Sequence, residues 1–175
     1  STTNVSILTS VQVKGLTSAQ IGALGTSGIN AMGSEALQNL TTTQIKGLTT
    51  TEVFQMVSTQ FQLMTSTEVG ALTTTDVANL NTTSLANLSA AQAAGLTSAQ
   101  LGSLTSTNLN VLNSTTFGGL STTQIRGLTT TEMNGLSVTQ ASVLTSTQLG
   151  GLTTAGLNAI STTNFAALTS AQMKG

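Results

Sequence analysis

Every residue whose number is a multiple of eight is large and apolar, from Leu8 through Met32 and Met64 to Ile160 and Leu168, and seventeen of these twenty-one are leucine. Call this position zero of an octad. Position five is also apolar throughout, running Val5, Val13, Ile21, Ile29, Leu37, Ile45 and onward to Phe165 and Met173, with Ala93 and Ala141 the smallest. No insertion breaks the phase. A period held this strictly marks a repeat architecture in which each unit packs on its neighbours. Leu40 to Gln55 shows the unit twice in succession, Leu-Thr-Thr-Thr-Gln-Ile-Lys-Gly followed by Leu-Thr-Thr-Thr-Glu-Val-Phe-Gln.

A continuous α-helix does not suit the octad. At 100° per residue the apolar stripe drifts by about 80° per octad and wraps around the helix. A plain strand does not suit it either, because positions zero and five have opposite parity and face opposite sides. A bend inside each octad accommodates a β-solenoid, which stands as the alternative. One short helix per octad fits best. Position one is Ser, Thr, Asn or Gly everywhere except Val57, and these are the preferred N-cap residues. Position four is Gln or Glu in thirteen octads, among them Gln44, Glu52, Glu68, Gln100 and Gln124. Thr-x-x-Gln is a capping box, and the apolar residues flanking it at positions zero and five form a hydrophobic staple. Glycines at position seven (Gly15, Gly47, Gly95, Gly119, Gly127, Gly135, Gly151 and Gly175) predict a left-handed turn closing each helix. The charges agree with this polarity. Lys14, Lys46, Arg126 and Lys174 all occupy position six, while Glu52, Glu68, Asp76 and Glu132 occupy position four. Acids near a helix start and bases near its end complement the helix dipole. Glu35, at position three, is the one acid off the pattern.

The expected fold is therefore an all-α repeat solenoid, a single continuous array over 1–175 of about 22 octads. Gln44–Glu52 recurs as Gln124–Glu132, and Gly15–Gln20 as Gly95–Gln100. Both offsets are 80 residues, which suggests a super-repeat of 16–95 and 96–175. Two stretches depart from the grammar. Over 24–39, Gly25, Gly28 and Gly33 replace cap or first-turn residues, and looser helix is expected there. Phe54, Val57 and Leu63 add apolar groups where other octads are polar or small, and Val138 and Val143 do so ten octads later. These five are a candidate assembly patch, since clustered exposed apolar residues mark interfaces. The sequence begins at octad position one and ends at position seven, with no capping unit. Flanking repeats of a longer chain, or self-association end to end or laterally, are the expected partners.

Composition narrows the function. Only 5 % of residues are charged, with no His, Cys, Trp or Tyr. A serine or threonine nucleophile needs a base, and histidine is absent. The acids are spread singly, so neither paired-carboxylate chemistry nor a calcium site is expected. No enzyme activity, cofactor or metal is expected. Four basic and four phenylalanine residues are too few for a nucleic-acid surface, and no apolar run is long enough for membrane insertion. Asn-x-Ser/Thr sequons at Asn4, Asn39, Asn81, Asn87 and Asn113 follow from the octad grammar itself. The Ser/Thr tract at positions one to three is the one repetitive surface feature. It serves capping and solvation, or alternatively forms a lattice that binds ice or carbohydrate.

The Leu-Thr-Thr-x-Gln-Ile/Val-x-Gly/Ala octad, as at residues 16–23, 40–47 and 120–127, resembles the octapeptide arrays of very large bacterial surface proteins of adhesin-like type. The resemblance covers nearly the whole chain. It implies an extracellular or cell-surface fibrous role and supplies no catalytic residues.

Overall fold

The computed structural model describes residues 1–174. One short helix forms per octad, from Thr2–Ser6 to Thr162–Ala167, with a 3-10 turn at Gln172–Lys174 and no strand among the described residues. The all-α solenoid is thus the fold, and the β-solenoid is not. Helices this short are unstable alone, so two devices hold them.

The first device is the cap. Thr41 Oγ1 accepts the Gln44 N–H at 3.3 Å, and Gln44 Oε1 accepts the Thr41 N–H at 2.8 Å. The same reciprocal box starts the helices Ser10–Lys14, Ser18–Gly22, Thr50–Gln55, Ser66–Ala71, Ala90–Gly95 and others to Ser146–Gly150. Asp76 completes a box with Thr73, which the Gln/Glu pattern does not anticipate. Gln60 completes none, because Val57 offers no hydroxyl. Lys14 and Arg126 fall in the last turns of their helices and Lys46 at a C-cap, as the dipole requires.

The second device is stacking. Each helix packs on the third helix before and after it: Ser18–Gly22 on Thr42–Ile45, that on Ser66–Ala71, and that on Ala90–Gly95. Each step advances 24 residues from Ser18 to Thr42, Ser66 and Ala90, so three octads make one coil and the array has three edges. Positions zero and five point inward and build one continuous core along the axis, including Ile21, Ile45, Phe61, Leu85, Leu101, Phe117 and Ile125. Each such side chain contributes roughly 1.5–3 kcal/mol on full burial. The exceptions lie in the last coil, where Phe165 and Met173 are exposed and no following coil covers them among the described residues.

The glycines correct the sequence reading. Among the described residues Gly25 alone has positive φ, at 67°, while Gly15, Gly119, Gly127, Gly135 and Gly151 are right-handed or close to it, with φ between −75° and −84°. Position seven does not make a left-handed turn. What several of these glycines supply is room between coils. A Cβ on Gly127 would sit 2.5 Å from the Ser98 carbonyl oxygen, and one on Gly135 would sit 2.6 Å from Ser106 Oγ. Gly47 meets Ser18, and Gly95 meets Ser66, in the same way. Position-seven glycine of one coil lies against the position-two residue of the coil before it. Gly175 lies outside the described residues.

Residues 24–39 also differ from expectation. Neither Leu24 nor Gly33 makes a side-chain cap, yet Gly25–Ala31 runs seven residues, while Ser34–Leu37 runs four, no shorter than the capped Thr42–Ile45. Leu24 is itself helical, with φ −66° and ψ −27°. The segment therefore enters its helix from a turn at Gly25 rather than from an extended cap. Segments ten octads apart stand three coils and one edge apart, so residues 44–52 and 124–132 occupy neighbouring edges of the array.

The close approach at glycine yields a paired test. Gly127→Ala should lose about 1–3 kcal/mol in chemical denaturation, through overpacking between coils. Gly15→Ala, whose Cβ would meet only the Gln12 carbonyl at 3.4 Å, should be neutral or gain up to about 1 kcal/mol. Equal losses at both sites would contradict the inter-coil role.

Candidate functional site

Position four carries the most chemistry, and the structure buries it. Gln44, Glu52, Gln60, Glu68, Asp76, Gln92, Gln100, Gln124, Glu132, Gln140 and Gln148 all lie inside. Where the cap forms, it occupies only one atom of the glutamine. Gln124 Oε1 accepts the Ser121 N–H at 2.8 Å, while its Nε2 donates to the Ala93 and Leu96 carbonyls of the preceding coil, both at 2.7 Å. The same bond recurs 28 residues back from Gln44 to Leu16, Gln92 to Met64, Gln100 to Leu72 and Gln148 to Leu120. Thr116 and Asn164 replace glutamine at position four and still donate to Leu88 and Leu136. The position-zero carbonyl precedes the cap and stands outside the intrahelical ladder. The amide thus closes a helix start and stitches two coils in one residue.

Carboxylates at position four can cap but cannot stitch. Glu68 Oε2 accepts from the Thr65 N–H at 2.6 Å and from its hydroxyl at 2.9 Å, as Glu52 Oε2 does from Thr49. The other oxygen, Oε1, is buried without a partner in both. Burial raises the Glu68 carboxyl above its ordinary value of 4.5, against the lowering effect of the two Thr65 bonds. Asp76 differs, because its Oδ1 accepts from Thr50 Oγ1 of the preceding coil at 2.9 Å.

The outer surface is built from hydroxyls. Position three is exposed in every octad, and on one edge Thr59, Thr83, Thr107 and Thr131 follow one another coil by coil. The position-one hydroxyls are committed to caps, as at Thr97 and Thr145. The tract is therefore three narrow ladders, one per edge. The five apolar candidates do not gather into one patch. Phe54, Val57 and Val138 are 47–49 % exposed, whereas Leu63 and Val143 pack against the core. Val143 fills space beside Gly118 of the preceding coil, where an added Cβ would lie 3.4 Å from the Val143 Cβ. Phe54 and Val57 adjoin one corner, and Val138 lies more than three coils along. Phe54 borders a shallow groove with Thr50, Thr51, Gln55 and Asn79. No group of three or more metal-ligating side chains occurs among the described residues, and no described helix is long and apolar enough to cross a membrane.

The stitch predicts a large effect for a buried, apolar replacement. Gln124→Met keeps volume but leaves the Leu96 carbonyl and the Ser121 N–H without their partners. It should cost about 2–4 kcal/mol in a denaturation experiment, at roughly 1–3 kcal/mol per unsatisfied buried group. A loss below about 0.5 kcal/mol would show that the inter-coil bond carries no weight.

Against known proteins, no curated protein and no solved structure gives a match. Residues 69–106 match the model of the ALTTAQ repeat family, a stretch that contains Ala71-Leu72-Thr73-Thr74 and Gly95-Leu96-Thr97-Ser98-Ala99-Gln100. The protein is thus a repeat protein, similar over that stretch to ALTTAQ repeats.

Proposed function

We propose that the protein is a structural array, an extracellular stalk or filament-forming segment that works by its length and stiffness rather than by catalysis. The observation that carries this reading is the repetition of the coil-to-coil contact. The inward pair of positions zero and five repeats along the whole axis, and the 28-residue amide bond recurs from Gln44 through Gln124 to Gln172, interrupted where position four is an acid or a small residue. An apolar contact repeated at every step extends a rod without a natural stopping point. The surface supports the same reading, since it is nearly uncharged and lined with short hydroxyl side chains. The resemblance to adhesin-like octapeptide arrays agrees with an extracellular or cell-surface setting.

A second reading rests on the Thr59, Thr83, Thr107 and Thr131 ladder. A row of identical exposed threonines could bind an ordered partner, ice or polysaccharide, along one edge. It competes with simple solvation of a capped helix start, which already accounts for the adjacent hydroxyls.

Small-angle scattering combined with sedimentation velocity tests the first reading. A stiff rod is expected, with mass constant on dilution for a stalk and rising with concentration for a filament subunit. A compact, globular scattering profile would overturn the array. Loss of ice or glycan binding on changing the four ladder threonines to lysine would favour the second reading.

A further inference from the structure

Glu68 sits in the helix Ser66–Ala71, between Thr42–Ile45 of the preceding coil and Ala90–Gly95 of the following one. It is only 3 % exposed. Its Oε2 is consumed by the Thr65 cap, and its Oε1 is buried with no partner. Every glutamine stitch shows what occupies that place. Gln60 Nε2 donates to the Ile29 and Met32 carbonyls, and Gln92 Nε2 to those of Phe61 and Met64. The same register, 31 and 28 residues back, assigns the carbonyls of Leu37 and Leu40 as the acceptors opposite Glu68 Oε1. A bare carboxylate oxygen there meets acceptors and can accept nothing from them. A carboxylic acid carries one donor in the same place.

We propose that Glu68 is a proton-operated stitch: as a neutral acid it donates from Oε1 to the carbonyl row of the preceding coil, and on losing that proton it opens the contact. The proton is exchanged with solvent water, and no other bond is made or broken. The surroundings supply no competing charge to hold the anion. The helices Thr42–Ile45 and Ala90–Gly95 contain no titratable residue. Lys46, at the C-cap of the former, is exposed. In the flanking octads, position four is the neutral Gln60 and Asp76, whose free oxygen is already held by Thr50. Burial raises the Glu68 carboxyl above 4.5, in the direction the geometry requires. The folded chain then binds this proton at pH values where the unfolded chain has released it. The added stability is complete below the ordinary value and is lost as pH rises through the folded one. Glu52 leaves the same oxygen unpartnered two octads earlier.

Thermal melts of the full chain at pH 4 and pH 8 test this, because every other titrating group cancels in the difference between wild type and a single variant. Glu68→Gln supplies the donor permanently. It should melt about 2–8 °C above wild type at pH 8, with the gap closing by pH 4. The reverse change, Gln100→Glu, should melt below wild type at pH 8 and recover on acidification. Carbon NMR of the Glu68 carboxyl should show it titrating above 4.5. The proposal is overturned if Glu68→Gln melts at or below wild type at pH 8, if the gap is the same at both pH values, or if the Glu68 resonance titrates at or below 4.5.

Discussion

The structure depends on the side-chain amide at position four. A helix of four to seven residues leaves most of its backbone groups outside the intrahelical ladder, and a solenoid of such helices must satisfy them from elsewhere. One glutamine does this on two sides. Its oxygen closes the N-terminus of its own helix, and its nitrogen closes the carbonyls of the coil before, as at Gln44 and Gln100. The residue is buried, so these bonds are made in a medium where leaving them unmade is expensive. The apolar pair supplies the drive to stack, and the amide fixes the register in which stacking occurs.

That division explains the surface. With much of the backbone satisfaction handled by a buried row, the outer side chains carry fewer structural duties, although Asn30 and Asn110 still bond across coils. Position three then carries exposed, mostly small side chains, threonine above all, on all three edges. Contacts between coils are local and repeated, so stability is a sum over neighbouring coils. Substitutions within the row act on the coil they join. Glu52, Glu68 and Asp76 place acids in the row within four consecutive octads, and only Asp76 finds a donor for its second oxygen.

Much of this was legible in the sequence. The phase of Leu40, Leu48 and Leu72 marked the core, Thr-x-x-Gln marked the helix starts, and the segregation of Lys14 and Arg126 from Glu52 and Glu132 marked helix direction. The number of octads per coil was not legible, because the octad is a local unit and coil closure is a long-range property. The role of Gly127 and Gly135 was misread for the same reason: a glycine after a helix commonly marks a left-handed turn, and only the neighbouring coil reveals a steric need. The stitch left one signal that the capping argument passed over. The helix dipole favours acids in the first turn, yet position four holds ten glutamines and only three glutamates. A preference for the amide over the acid at a site that favours the acid indicates that the NH2 group is needed. The five apolar candidates were legible as departures, but their separation along the axis required the three-edged register.

Hydrogen exchange at glutamine side chains tests the stitch most directly. The side-chain NH2 protons of Gln92, Gln100, Gln124 and Gln148 should exchange as slowly as the core backbone amides, because each is buried and donates across coils. Those of the exposed Gln38, Gln55 and Gln62 should exchange at the rate of a free amide. Fast exchange of all seven would contradict the account, since the coils would then be held by apolar contact alone.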